Sequence, residues 1–271
     1  MTNIPYLPRS MRAGDLPEAV ARSLETELLA ALGRDEIQVM FQPQVSTATG
    51  EITGAEALAR WHHPSLGKVG ARDLFAIAER ASLVAPLSRH VVAKALEMAG
   101  GWPNQMRLSL NITPEELAEG IFAQSFIEVV ERSKFTPDRL TLEITEDILL
   151  TDLEFAATAL GTLHDAGFRI ALDDFGAGFC NFRYLKLLPL DVVKLDRSMV
   201  EGIASDARDL EVLRAIVALC RALDLDIVAE GIESQELLDV IAAEGCTMWQ
   251  GFLRSAPIAP DAMLKLARSS A

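Results

Sequence analysis

An α/β fold is predicted, a modified (β/α)8 TIM barrel with an irregular, antiparallel first strand, and three features of the sequence predict it. Short β-rich runs alternate with longer stretches of helical period. Eight such runs are present, and about 250 residues is the usual size of one such barrel. The first two runs are joined by a turn-like STATGE with no helix between them, so that pair is expected to be an antiparallel hairpin.

In chain order, residues 1–16 carry two prolines and little periodicity and read as a tail or connector, leaving 17–271 as one domain. The strand runs are IQVMFQP (37–43), ITGAEALARW (52–61), RLSLNIT (107–113) and LTLEITE (140–146). They continue with RIALDDF (169–175), VVKLDRS (192–198), DIVAEGI (226–232) and MWQGF (248–252). Helix starts are legible between them. Thr113-Pro114-Glu115-Glu116 offers a cap, a first-turn proline and an acid at the capping-box position, and Thr151 with Glu154 repeats that logic. In DLEVLRAIVALCRAL, the residues Leu213, Ile216, Val217 and Cys220 form one apolar stripe.

Composition narrows the chemistry. A formal net charge of −14 argues against broad binding to duplex nucleic acid, which needs basic surface. It does not oppose a small phosphate ligand held through cations. No apolar run is long enough for a membrane span, and the first residues lack the apolar stretch of a signal peptide. Three scattered cysteines, Cys180, Cys220 and Cys246, fit a reducing, cytoplasmic location rather than a disulfide frame. The four histidines show no zinc spacing, so any metal ligands are expected to be oxygens.

Polar residues recur at the C-terminal ends of the strand runs: Gln42, Glu56 with Arg60, Asn111, Glu143 with Glu146, Asp173 with Asp174, Lys194, Glu230 with Glu233, and Gln250. In a barrel these ends gather at one mouth, where active sites lie. One acid there would be a solvated strand end; acids on nearly every strand are a constellation. So many carboxylates, with Lys194 and Arg60 as the evident cations, repel one another unless several are protonated or divalent cations lie among them. Oxygen donors favour Mg²⁺ or Mn²⁺. Two neighbouring acids at a bent strand end suit a two-metal site for phosphoryl chemistry, with Arg60 on a phosphate oxygen. An enolase-like proton abstraction from the same kind of mouth remains open at this level.

The motif Glu56-Ala57-Leu58-Ala59-Arg60-Trp61 resembles the EALxRW signature of the EAL family of cyclic-di-GMP phosphodiesterases. The resemblance runs from about Leu32 to Leu266 through FQPQV, LNIT, LEITE, DDFGAGF, LPLDVVKLDRS, AEGIE and QGF in family order. It implies hydrolysis of cyclic di-GMP to linear pGpG with two Mg²⁺ or Mn²⁺ ions per active site, in a homodimer. It also implies Glu56, Asn111, Glu143 and Asp173 as ligands of one metal, and Asp173, Asp174 and Glu230 as ligands of the second. Lys194 matches the lysine that holds the attacking water, Glu230 and Glu233 the acids beside it. Gln42, Arg60, Gln250 and Phe252 match nucleotide contacts.

One segment departs from the family pattern. The usual DDFGTGYSSL reads DDFGAGFCNF here, with Cys180 and Asn181 replacing two serines. In the family the first serine ties this loop, which lies at a dimer interface, to the acid matching Glu146. Cysteine is the weaker donor, and Asn181 is the candidate substitute. A slow or silent cyclic-di-GMP receptor is therefore the alternative to an active enzyme. Ala71 and Leu74, where the family has proline and phenylalanine, read as packing differences. His62 and His63 read as structural, His164 as bonding the last carbonyls of its helix, and Trp61 and Trp249 as barrel packing.

Overall fold

The structure, a computed structural model, describes residues 18–34, 36–133, 135–146, 153–178 and 183–269. Its strands are β1 (Ile37–Ser46), β2 (Ile52–His63), β3 (Gly67–Val69), β4 (Arg107–Asn111), β5 (Leu140–Thr145), β6 (Arg169–Phe175), β7 (Val192–Leu195), β8 (Asp226–Ala229) and β9 (Met248–Trp249). Eight of them close a ring in the order β1-β9-β8-β7-β6-β5-β4-β2, shut by the β1–β2 pairing, while β3 hangs on the far end of β2. From β2 through β9 the ring pairs are parallel, whereas β1 is antiparallel to both of its neighbours. The predicted irregular barrel is the fold.

Alternation along the strands sets what lies inside. Leu108, Leu110, Leu142, Ile170, Leu172, Val193, Leu195 and Ile227 belong to the main core under the helices. The intervening residues Ser109, Thr141, Glu143, Ala171, Val192, Lys194 and Val228 line the barrel interior instead. Trp61, fully buried, and Trp249, 5% exposed, pack in the main core as expected. Burial of one such aromatic contributes about 1.5–3 kcal/mol.

Helix ends follow the sequence where they are described. Thr113 forms the capping box with Glu116 at the start of helix Pro114–Ala118. In helix Ala207–Ala222, capped by Asp206, the buried residues are the predicted Leu213, Ile216, Val217 and Cys220. Thr151 lies outside the described residues, as does the whole 1–16 segment. No helix among the described residues is long and apolar enough to cross a membrane.

Several expectations are corrected. Strands β7, β8 and β9 stop at Leu195, Ala229 and Trp249, so Glu230, Glu233, Gln250 and Phe252 stand on the loops that follow them. β7 stops because Asp196 turns to cap helix Arg197–Val200, accepting a hydrogen bond from Ser198 N at 2.9 Å. Gln42, Glu56 and Arg60 are not at C-terminal strand ends. β1 runs opposite to the other ring strands, and Gln42 reaches the level of the acids because it pairs with Glu56 in mid-strand. His164 lies in the last turn of helix Leu153–Asp165, and its Nε2 is also 3.7 Å from Asp191 Oδ1. Leu74 is fully buried, which fits a packing role.

Candidate active site

Lys194 is the centre of the mouth. It is 1% exposed, and its Nζ lies 2.7 Å from Glu143 Oε2, 2.9 Å from Glu230 Oε1, 3.0 Å from Asp173 Oδ1 and 3.5 Å from Glu56 Oε2. Each acid comes from a different strand or strand end: β2, β5, β6 and the residue after β8. An ammonium has three donors, so the three nearer carboxylates saturate it. Fully ionised, the four carboxylates would carry three negative charges in excess of the one positive charge.

The second tier orients these acids. Asn111 Nδ2 donates to Glu56 Oε1 at 2.9 Å, and Gln250 Nε2 donates to Glu56 Oε2 at 2.9 Å and to Glu230 Oε1 at 2.8 Å. Gln250 is 4% exposed. It needs the glycine that follows it, because a Cβ on Gly251 would lie 2.1 Å from the Ile232 carbonyl oxygen.

Neighbouring residues on a regular strand point to opposite faces, which would separate Asp173 from Asp174. The backbone solves this at Asp174, whose φ of 54° is left-handed, a region that Asp tolerates better than most residues. The β6–β7 register shifts over the same step, between Leu172 and Phe175. As a result two overlapping groups of acids form, Glu56–Glu143–Asp173 and Asp173–Asp174–Glu230, each with ligand atoms within 4.8 Å of one another. Asp173 is shared.

Burial and mutual repulsion show in the proton affinities. Burial pushes the Glu143 carboxyl well above the ordinary range, against the pull of Lys194, with Glu56 and Asp173 adding to the rise. Burial pushes Glu230 up to about 8, and raises Asp173 and Asp174 as well. Glu56 alone goes down: burial would raise it, but Lys194 and the hydrogen bonds from Gln250 and Asn111 outweigh that. Lys194 is held well above its ordinary value by the four acids, although burial opposes its charge.

These residues fit divalent cations. The donors are all oxygens, the carboxylates outnumber the ammonium, and buried Glu143 Oε1 has no hydrogen-bond partner among the described residues.

Around the acids, Arg60 lies two pleats along β2 from Glu56, half-buried, and donates to its neighbour's carbonyl, Ala59 O, at 2.7 Å. Gln42 is half-buried and Phe252 is 62% exposed. A cavity of about 330 Å³ opens beside Glu56, Asn111 and Asp174, with Leu58, Phe75 and Pro114 among its walls. Glu233 is not brought to Lys194 by any described contact. It pairs instead with Arg197, Oε1 to Nη1 at 2.7 Å, with both side chains largely exposed. Cys180 and Asn181 lie outside the described residues, so the proposed tie to Glu146 does too. His63 is structural: Nε2 lies 2.7 Å from Glu27, and Nδ1 accepts from Ser65 N and Leu66 N.

Gln44 and Ser109, outside the predicted set, are both buried inside the barrel. The signal was present: Gln44 is two residues from Gln42 and so shares its face.

Residues 25–257 match the family model described as EAL domain. The chain belongs to the EAL domain family. The protein named Cyclic di-GMP phosphodiesterase PA2567, of Pseudomonas aeruginosa, is 32% identical over 251 residues, covering 91% of this chain and 43% of its own length. Cyclic di-GMP phosphodiesterase NbdA of the same organism is 32% identical over 252 residues, covering 91% of this chain and 32% of its own. An uncharacterized signaling protein of Caulobacter vibrioides is 35% identical over 242 residues, 89% of this chain and 30% of its length. This EAL domain thus spans less than half of each of these relatives. Among solved structures, the EAL enzyme Bd1971 in its cAMP- and cyclic-di-GMP-bound form gives a TM-score of 0.87 at 30% identity, over 94% of this chain and 71% of that one. The PaMucR phosphodiesterase in complex with c-di-GMP gives 0.84 at 31% identity, over 89% of this chain and 100% of that one.

Proposed function

We propose that this EAL domain hydrolyses cyclic di-GMP to linear pGpG with Mg²⁺ or Mn²⁺, two per site. The observation that carries the reading is the pair of overlapping carboxylate groups sharing Asp173 around a single buried lysine. Glu56, Asn111, Glu143 and Asp173 would hold one ion, and Asp173, Asp174 and Glu230 the other. Bound there, the ions would acidify a water and neutralise charge building on the phosphodiester.

The chain's own groups do the rest. Arg60 offers its guanidinium to a phosphate oxygen. Gln42, paired with Glu56 across β1 and β2, is offered as a further nucleotide contact, and the exposed ring of Phe252 offers a stacking surface for a guanine. The cavity walled by Leu58, Phe75 and Pro114 gives room for an organic ligand beside the acids. Once one of its three carboxylates turns away, Lys194 Nζ has an N–H free to donate to the attacking water and fix its position, and a carboxylate of the ring, Glu230 foremost, accepts its proton. The water oxygen bonds to phosphorus, the P–O3′ bond breaks, and the 3′ oxygen takes up a proton from solvent to leave as a hydroxyl, giving pGpG, while the carboxyl returns its own proton to solvent. Gln250 keeps Glu56 and Glu230 aligned. Glu233 acts from the rim through Arg197.

The protein is proposed to work as a homodimer in the cytoplasm. Incubation of purified protein with cyclic di-GMP and Mg²⁺ or Mn²⁺ tests the reading: pGpG forms, and Glu56→Ala abolishes it. Tight binding with no pGpG identifies a receptor instead, the alternative that the altered GAGFCNF segment leaves open.

A further inference from the structure

Strand β1 carries a buried polar residue that no step above uses. Gln44 is 6% exposed, faces the barrel interior with Gln42, and pairs across β2 with Gly54. Its Nε2 lies 3.4 Å from Gln250 Oε1 and 3.4 Å from Ser109 Oγ, and that hydroxyl also lies 3.5 Å from its Oε1. Gln250 in turn directs Nε2 at Glu56 Oε2, 2.9 Å away, and at Glu230 Oε1, 2.8 Å away.

The amide of Gln250 has two orientations, related by half a turn. In the observed one its two N–H groups meet two carboxylates. In the other its oxygen would face both of them at hydrogen-bond distance, and both N–H donors would be lost to them. What lies behind the amide must therefore favour an oxygen there, and the donor facing Gln250 Oε1 is Gln44 Nε2. The antiparallel strand makes this possible. β1 pairs with β9 at Val45 and Trp249, which sets the two glutamines side by side.

We propose that Gln44 is a positioning residue of the cation site, acting through Gln250. It holds the amide in the orientation that ties Glu56, of one carboxylate group, to Glu230, of the other. Ser109 Oγ lies beside the same amide, 3.4 Å from Nε2 and 3.5 Å from Oε1. The inference rests on the reading of these acids as cation ligands. It also gives the reversed first strand a purpose, since that strand supplies the outermost member of the relay.

The test is calorimetric titration of Mn²⁺ into the metal-stripped full chain, unmodified and as Gln44→Leu, Gln250→Leu and the double variant. Partners of metal ligands change affinity by about 10–100-fold when lost. Gln44→Leu, one step further out, is expected to weaken Mn²⁺ about tenfold. Added to Gln250→Leu it should change affinity less than twofold, because its only route is already cut. Gln44→Met serves as the unbranched variant should Gln44→Leu fold poorly, and is expected to behave alike. The proposal is overturned if both Gln44 variants keep Mn²⁺ affinity within twofold of the unmodified chain. It is equally overturned if Gln44→Leu costs the same factor in both backgrounds, which would mark simple packing. An unmodified chain that binds no Mn²⁺ overturns the cation reading itself, before any variant is compared.

Discussion

Lys194 Nζ lies 2.7 Å from Glu143 Oε2, while the other oxygen of that carboxylate is buried and has no hydrogen-bond partner among the described residues. The pair is buried at 1% exposure on both side chains. A buried acid with one oxygen tied to a lysine and the other bare is poorly satisfied, and three further acids share the same lysine. Positive charge is what this mouth lacks.

Removing the lysine should therefore be costly in two ways. Lys194→Met is expected to destabilise the metal-free protein at neutral pH by about 3–5 kcal/mol, the usual cost of stranding a buried charge. Added Mn²⁺ should recover part of that, while pGpG formation stays lost. Urea denaturation with and without Mn²⁺ reads both effects. A loss below about 1 kcal/mol would mean that the acids do not depend on Lys194.

Stability should also fall as pH rises. The Glu230 carboxyl is pushed up to about 8 in the folded chain, against an ordinary 4.5, chiefly by burial. The folded state therefore binds its proton more tightly than the unfolded state. The resulting stability is full below the unfolded value and is lost as pH rises through about 8. Glu143, Asp173 and Asp174 shift in the same direction. Metal-stripped protein is expected to melt at lower temperature at pH 8 than at pH 5.5, and Glu230→Gln should flatten part of that slope. The rise in melting temperature on adding Mn²⁺ should be larger at pH 8, since ligands must be deprotonated. A melting temperature independent of pH across this range would mean that these acids keep ordinary proton affinities in the fold.

Gly251 should not tolerate a side chain. A Cβ would lie 2.1 Å from Ile232 O and 2.3 Å from Ile232 N, both backbone atoms that cannot swing aside. Gly251→Ala is expected to cost about 1–3 kcal/mol. It should also displace Gln250, lowering kcat more than the stability loss explains. Unchanged urea midpoint and kcat would show that the loop moves freely.

Glu233 and Arg197 should behave as one unit. Their ion pair is exposed on both sides, so Glu233→Ala is expected to change stability by less than about 1 kcal/mol. Arg197→Ala should then match Glu233→Ala in kcat, and the double variant should add nothing. If Glu233→Ala alone lowers kcat, Glu233 acts on the lysine side without Arg197.

Much of this was legible in the sequence. RIALDDF gave β6 at both ends, Arg169 and Phe175, because its apolar run and its acids mark the two limits of a buried strand. The hairpin STATGE identified the reversed first strand, and the acids that gather around Lys194 were those picked out by their places on successive strands. What escaped depended on tertiary direction. The face of Gln44 follows from its spacing to Gln42, but its partner does not, because the pairing of β1 with β9 is what sets it beside Gln250. Glu233 looked like a neighbour of the lysine, but β8 ends at Ala229 and the loop carries it to Arg197. The left-handed step at Asp174 has no local signature beyond an Asp-Asp pair, since the rest of the barrel imposes it.

The most direct measurement strips the protein of metal, supplies cyclic di-GMP, and follows the nucleotide while Mg²⁺ or Mn²⁺ is returned in steps. Cyclic di-GMP should stay intact before addition and yield pGpG afterwards, with activity saturating as two ions bind per chain. Cyclic di-GMP recovered intact at saturating metal, or pGpG formed at full rate in its absence, would contradict metal-dependent hydrolysis.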